Sequence, residues 1–134
     1  MTTPLGPVLF LKDNDDVFAH EHQIRELGCA ALIYSSWDYG FAKEGAAKPS
    51  LGGIIMLFLN RSWTPEEHPL IWDAINHLLG DGFDKHGRSP AMRYPIHARR
   101  NENAPYRRLI IEGAALNADR LIRLSRTLQP QAHI

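Results

Sequence analysis

The sequence predicts a single α+β domain, and three observations predict it. The chain has 134 residues, enough to bury one core and too few for two. Apolar runs of strand length are interspersed with stretches of helical periodicity. Hydrophobic residues make up 44% and charged residues 22%, a globular balance that excludes a disordered chain.

The elements follow in order. Val8-Leu9-Phe10-Leu11 is a short apolar run that meets polar residues at Lys12, and its length suits a buried strand. Asp15 or Asp16 is placed to cap a helix from about Val17 to Leu27, which Gly28 ends in the C′ position. Ala30–Ser35 reads as a second strand, followed by a polar, glycine-rich loop from Asp38 to Ser50. Gly53–Leu59 is a third strand, apolar on both faces and therefore expected at the centre of its sheet. Thr64-Pro65-Glu66-Glu67 predicts a helix start, with Thr64 as cap and Glu67 closing a capping box. Ile71, Ala74, Ile75 and Leu78 form that helix's apolar stripe, Gly80 stops it, and Pro69 in its second turn predicts a bend. Ala91–Ile96 and Arg107–Ile111 read as two more strands around an exposed Arg99–Pro105 turn, and Asn117 caps a last helix bearing Leu121, Ile122 and Leu124. The order β-α-β-β-α-β-β-α predicts an RRM/ferredoxin-like, antiparallel-rich sheet with helices packed on one face.

Fifteen basic residues balance fifteen acidic ones, so no global field draws the chain to a polyanion or a membrane. The balance hides an asymmetry. Acids concentrate before residue 85, whereas Arg88, Arg93, Arg99, Arg100, Arg107, Arg108, Arg120, Arg123 and Arg126 load the C-terminal third and offer a basic face. The lone Cys29, among small and apolar residues, reads as a buried thiol of a reducing compartment. Met1 to Pro7 lacks the features of a secretory signal, and Ile54–Leu59 is too short to span a bilayer. A cytoplasmic location without membrane association is expected.

Chemistry concentrates in the aspartates. Asp13-Asn14-Asp15 follows the first strand, and in extended backbone residues two apart point the same way. Two carboxylates so aimed suit a hard divalent cation such as Mg²⁺ or Mn²⁺, although the same residues also make turns and helix caps. Asp84, between the second helix and the Ala91–Ile96 strand, is the third candidate if that strand neighbours the first. Three carboxylates around a cation pair serve in-line nucleotidyl transfer. Asp81 competes for the third place, but its Gly-Asp-Gly setting reads as a turn.

The combined pattern resembles the archaeo-eukaryotic primase superfamily, in the primase–polymerase form found in plasmid and phage replication proteins. Leu9-Phe10-Leu11-Lys12-Asp13-Asn14-Asp15-Asp16 resembles the strand ending in that family's Asp-x-Asp metal motif, and Ala31-Leu32-Ile33-Tyr34-Ser35-Ser36-Trp37 the strand leading to its Ser-x-His motif. Leu59-Asn60-Arg61-Ser62-Trp63-Thr64-Pro65-Glu66-Glu67 is similar to the exit of its third strand, and Phe83-Asp84 with Ser89-Pro90-Ala91-Met92-Arg93-Tyr94-Pro95 to its third acidic residue and following strand. The closing Ile111-Glu112-Gly113 and Leu116-Asn117-Ala118-Asp119 fit its strand, glycine turn and helix. The likeness covers roughly residues 7–124. It implies Asp13, Asp15 and Asp84 as catalytic ligands of Mg²⁺ or Mn²⁺, with DNA, nucleotides and other replication proteins as partners.

Two departures stand out. The family's histidine falls at Tyr39, and its third-strand basic residues fall near Gly52 and Ile54. A triphosphate needs cationic or strong donor groups, so Lys48, Arg61, Lys85, His86 or Arg93 must replace them if the chain is a catalyst, with Arg99 and Arg100 reaching a nucleic-acid backbone. Otherwise the chain is a catalytically silent relative that binds nucleic acid or protein. His20 and His22, two apart on a helix, diverge too far to chelate one ion and read as surface histidines. Trp37 and Tyr39 either stack a base or anchor a loop, and Ser35 and Ser36 have no visible triad.

Overall fold

The computed structural model describes residues 4–36, 39–40, 51–91 and 106–128. Its centre is an open four-stranded sheet of β1 (Val8–Asp13), β2 (Ala31–Ser35), β3 (Gly53–Phe58) and β4 (Arg108–Ile111), in the order β1-β3-β2-β4. Every neighbouring pair is antiparallel. β3 lies between β1 and β2, as its unbroken apolar run requires. The expected Ala91–Ile96 strand and Arg99–Pro105 turn fall outside the described residues, except for Ala91, which lies in a turn.

Register explains the core. Leu9, Leu57, Ala31 and Ile111 form one row of the inward face, and Leu11, Ile55, Ile33 and Leu109 form the next. Against them pack Ile24 of α1 (Glu21–Leu27), Ile71, Trp72, Ala74 and Ile75 of α2 (His68–Leu78), and Leu121 and Ile122 of α3 (Ala118–Leu128). The third inward row differs. It consists of Asp13, Gly53 and Ser35, so the sheet's apolar face turns polar at one end.

Local differences from expectation have local causes. The first helical segment opens with a 3-10 turn, Val17–His20, before α1 begins. Asp16 occupies the cap position without a side-chain cap bond; the Ala19 N–H within its reach donates to the Asp16 carbonyl oxygen instead (3.3 Å). Gly28 ends α1 in the left-handed region at φ 70, where a side chain would be strained. The Thr64–Glu67 capping box forms, with Thr64 N–H donating to Glu67 (2.9 Å) and Glu67 N–H to Thr64 Oγ1 (3.2 Å). The α-helix proper starts at His68, so Pro69 sits in its first turn rather than its second, and there its missing N–H costs no helical hydrogen bond. Asn117 Oδ1 accepts Arg120 N–H at 3.0 Å and caps α3. No described helix is long and apolar enough to cross a membrane.

The close approach at the polar row demands glycine. A Cβ at Gly53 would lie 2.2 Å from the Tyr34 carbonyl oxygen and 2.8 Å from Val17 Cγ1. Gly53→Ala should therefore lower stability by about 1–3 kcal/mol, read as a reduced urea midpoint with an unchanged slope.

Candidate functional site

The polar end of the sheet is built by strand alternation. Leu9, Leu11 and Asp13 all point inward, so Asp13 is buried at 5% exposure. Burial raises its pKa, but His20 and the amides of Asp15 and Asp16 together outweigh that and hold the carboxyl below its ordinary value. Oδ1 accepts the N–H groups of Asp15 (2.7 Å) and Asp16 (3.1 Å), and Oδ2 lies 2.5 Å from His20 Nε2.

Strand β1 ends at Asp13, and with it the extended spacing that would aim Asp13 and Asp15 together. Asp15 is exposed and its side chain has no partner among the described residues. His20 corrects the surface reading of that residue: the 3-10 turn carries its ring onto Asp13 and against Phe83, 4.6 Å between ring centroids. Its Nδ1 is buried without a partner among the described residues. His22 is exposed and pairs with Glu26. No local spacing signals the His20 contact, because it depends on where the chain turns after the strand.

Asp84 reaches the same place. Its N–H donates to the Lys12 carbonyl (2.8 Å), stitching the segment after α2 to the end of β1. Its Oδ2 accepts Asn14 Nδ2 (3.2 Å), while Oδ1 accepts the His86 amide (2.9 Å) and faces His86 Nδ1 (2.7 Å). The His86 amide, with Asn14 and the His86 ring, holds the Asp84 carboxyl below its ordinary range against the opposing effect of burial. Asp84 is thus drawn to the first strand by direct backbone pairing.

The turn bearing these groups, Lys85–Arg88, is clamped by α2. Trp63 Nε1–H donates to His68 Nδ1 (3.1 Å), which leaves the proton on Nε2 to donate to the Gly87 carbonyl (2.9 Å). Arg88 forks onto Asp73 at 2.8 and 2.9 Å. Sequence reasoning missed this role for His68.

The basic candidates divide. Lys85 and His86 are exposed beside Asp84. Arg61 is committed elsewhere, to Glu67 (3.1 Å) and Asp119 (2.7 Å), tying α2 to α3. Lys48, Arg93, Arg99 and Arg100 lie outside the described residues, as does Trp37. A Cβ at Gly52 would meet the Asp13 carbonyl oxygen at 2.6 Å, and Ile54 is buried. Neither position has room for a phosphate-binding side chain. Tyr39 packs edge-on against Phe18, Ser35 Oγ accepts the Arg107 amide, and Asp81 forms a turn at φ 63.

A shared divalent cation needs several oxygens open toward one point. Asp13 Oδ1 is filled by two amides and Oδ2 faces His20, and Asp84 Oδ1 faces two His86 donors. Among the described residues no group of three or more His, Cys, Asp or Glu side chains is arranged to hold a metal ion. No protein-family model matches the chain, and no curated protein or solved structure does either.

Burial holds the His68 pKa below its ordinary 6.5, against the Gly87 carbonyl. The unfolded chain therefore takes up a proton first as pH falls, and this contribution, full above the unfolded value, is lost on acidification. Between neutral pH and about pH 5, stability by urea unfolding should fall more steeply for the native chain than for His68→Gln.

Proposed function

We propose that the chain is a primase–polymerase-like domain of a DNA replication protein from a plasmid, phage or integrated element, with an RRM-like core and a silent nucleotidyl-transfer centre. One observation carries the silent part: Asp13, the residue that the resemblance implies as a metal ligand, has both carboxylate oxygens engaged by the Asp15 and Asp16 amides and by His20. The lack of room at Gly52 for any side chain supports the same reading, since a triphosphate would meet no cation there. The domain's remaining task is to bind DNA through its basic residues, with Lys85 and His86 beside Asp84 and the arginines of the C-terminal third as contacts. Such contacts go to phosphate and carry no sequence preference.

A second reading, an active transferase, is favoured by the placement of Asp84. Its carboxylate bonds to Asn14, the residue between Asp13 and Asp15. An active centre of this type would use Mg²⁺ or Mn²⁺ on Asp13, Asp15 and Asp84.

The two part in one assay on primed single-stranded DNA with labelled nucleotide and Mn²⁺. The silent domain gives no incorporation, yet shifts the anisotropy of labelled single-stranded DNA with an affinity that falls steeply with salt. Incorporation abolished by Asp13→Asn overturns the silence, and absence of DNA binding at low salt overturns the DNA-binding role.

A further inference from the structure

Strand β4 closes one end of the sheet order, and among the described residues no strand pairs with its outer edge. Ser35 N–H donates to the Arg107 carbonyl (2.9 Å), which fixes the phase of the β2–β4 ladder. Antiparallel alternation then turns the backbone groups of Leu109 and Ile111 toward β2 and those of Arg108 and Ile110 outward. Arg108 and Ile110 also share one face of the sheet, and Glu112, just past the ladder's last pair, lines a groove with both. Ile110 is 64% exposed on that face. It borders a groove of about 460 Å³ that Leu32, Phe58, Arg108 and Glu112 also line. Neither Arg108 nor Glu112 has an ion-pair partner among the described residues.

The spacing is self-complementary. A second copy paired antiparallel about Ile110 sets Ile110 opposite its own counterpart. Arg108 lies two residues before it and Glu112 two residues after, so each meets the opposite charge on the other copy. Edge strands are commonly guarded by like charges that repel a second copy. Here the flanking charges attract one. The two-fold operation uses the same patch on both chains, as closed dimers require.

We propose that β4 is a homodimerisation edge, where two copies pair about Ile110 into one continuous sheet, with Arg108 and Glu112 forming reciprocal cross-strand pairs. The surface joined is small, so the dimer is weak and concentration-dependent. The inference is independent of any activity or DNA binding.

Sedimentation equilibrium of the full chain tests it, with circular dichroism to establish that each variant is folded. The native chain should dimerise. Arg108→Glu sets Glu against Glu on both sides of the axis and should weaken association roughly tenfold or more. Glu112→Arg, outside the strand proper, should do the same by setting Arg against Arg. It keeps the test decisive if Arg108→Glu fails to fold. The double variant R108E/E112R should restore dimerisation. A chain that stays monomeric at its highest soluble concentration overturns the proposal, as does a dimer indifferent to both single reversals or one that the charge swap fails to restore.

Discussion

A carboxylate at the end of an apolar row constrains everything around it. Strand alternation gives Asp13 no choice of face, since Leu9 and Leu11 must point into the core. A buried charge is tolerated only with partners, and three converge: two amides and the His20 ring. Supplying the ring requires the chain to double back through the 3-10 turn Val17–His20. Supporting it requires Phe83 behind the ring, and Phe83 brings Asp84 to the Lys12 carbonyl. The polar end of the sheet is thus one connected unit, and the close backbone approach at Gly52 and Gly53 belongs to it.

That unit has a functional consequence. Metal-dependent nucleotidyl transfer asks for carboxylates left underused by the protein and able to meet a cation. At Asp13 the protein's own donors satisfy the carboxylate and hold its pKa down. Asp15 is exposed and its carboxylate has no partner among the described residues.

Much of the fold was legible in the sequence, because strands, caps and stop signals are local. The apolar run of β3 foretold its central place, the Thr64–Glu67 box and Asn117 cap formed, and Gly28 ended its helix. Errors arose at helix starts and where tertiary contact overrides local pattern. Asp16 sits at the cap position, but its side chain makes no cap bond and its carbonyl oxygen takes the Ala19 N–H. Pro69 proved to be a first-turn residue because the α-helix began later than the box suggested. The site was half legible. Asp84 lies at the first strand's end through its own N–H on the Lys12 carbonyl, whereas the neighbouring Ala91–Ile96 strand on which that expectation rested lies, past Ala91, outside the described residues. Nothing near His20 or His68 announces that each ring is held by a residue from another element. Arg61 looked available for a phosphate and is instead held by Glu67 and Asp119, a pairing made only when α2 and α3 meet.

The most direct measurement compares the unfolding free energies of Asp13→Ala and Asp15→Ala without divalent metal. If Asp13 is an internal anchor, its loss leaves buried donors unpaired and costs about 1–3 kcal/mol, while Asp15→Ala stays within about 0.5 kcal/mol of the native chain. Asp13→Ala that is neutral or stabilising would contradict the account, because relief of that kind marks a carboxylate kept for a ligand at the expense of stability.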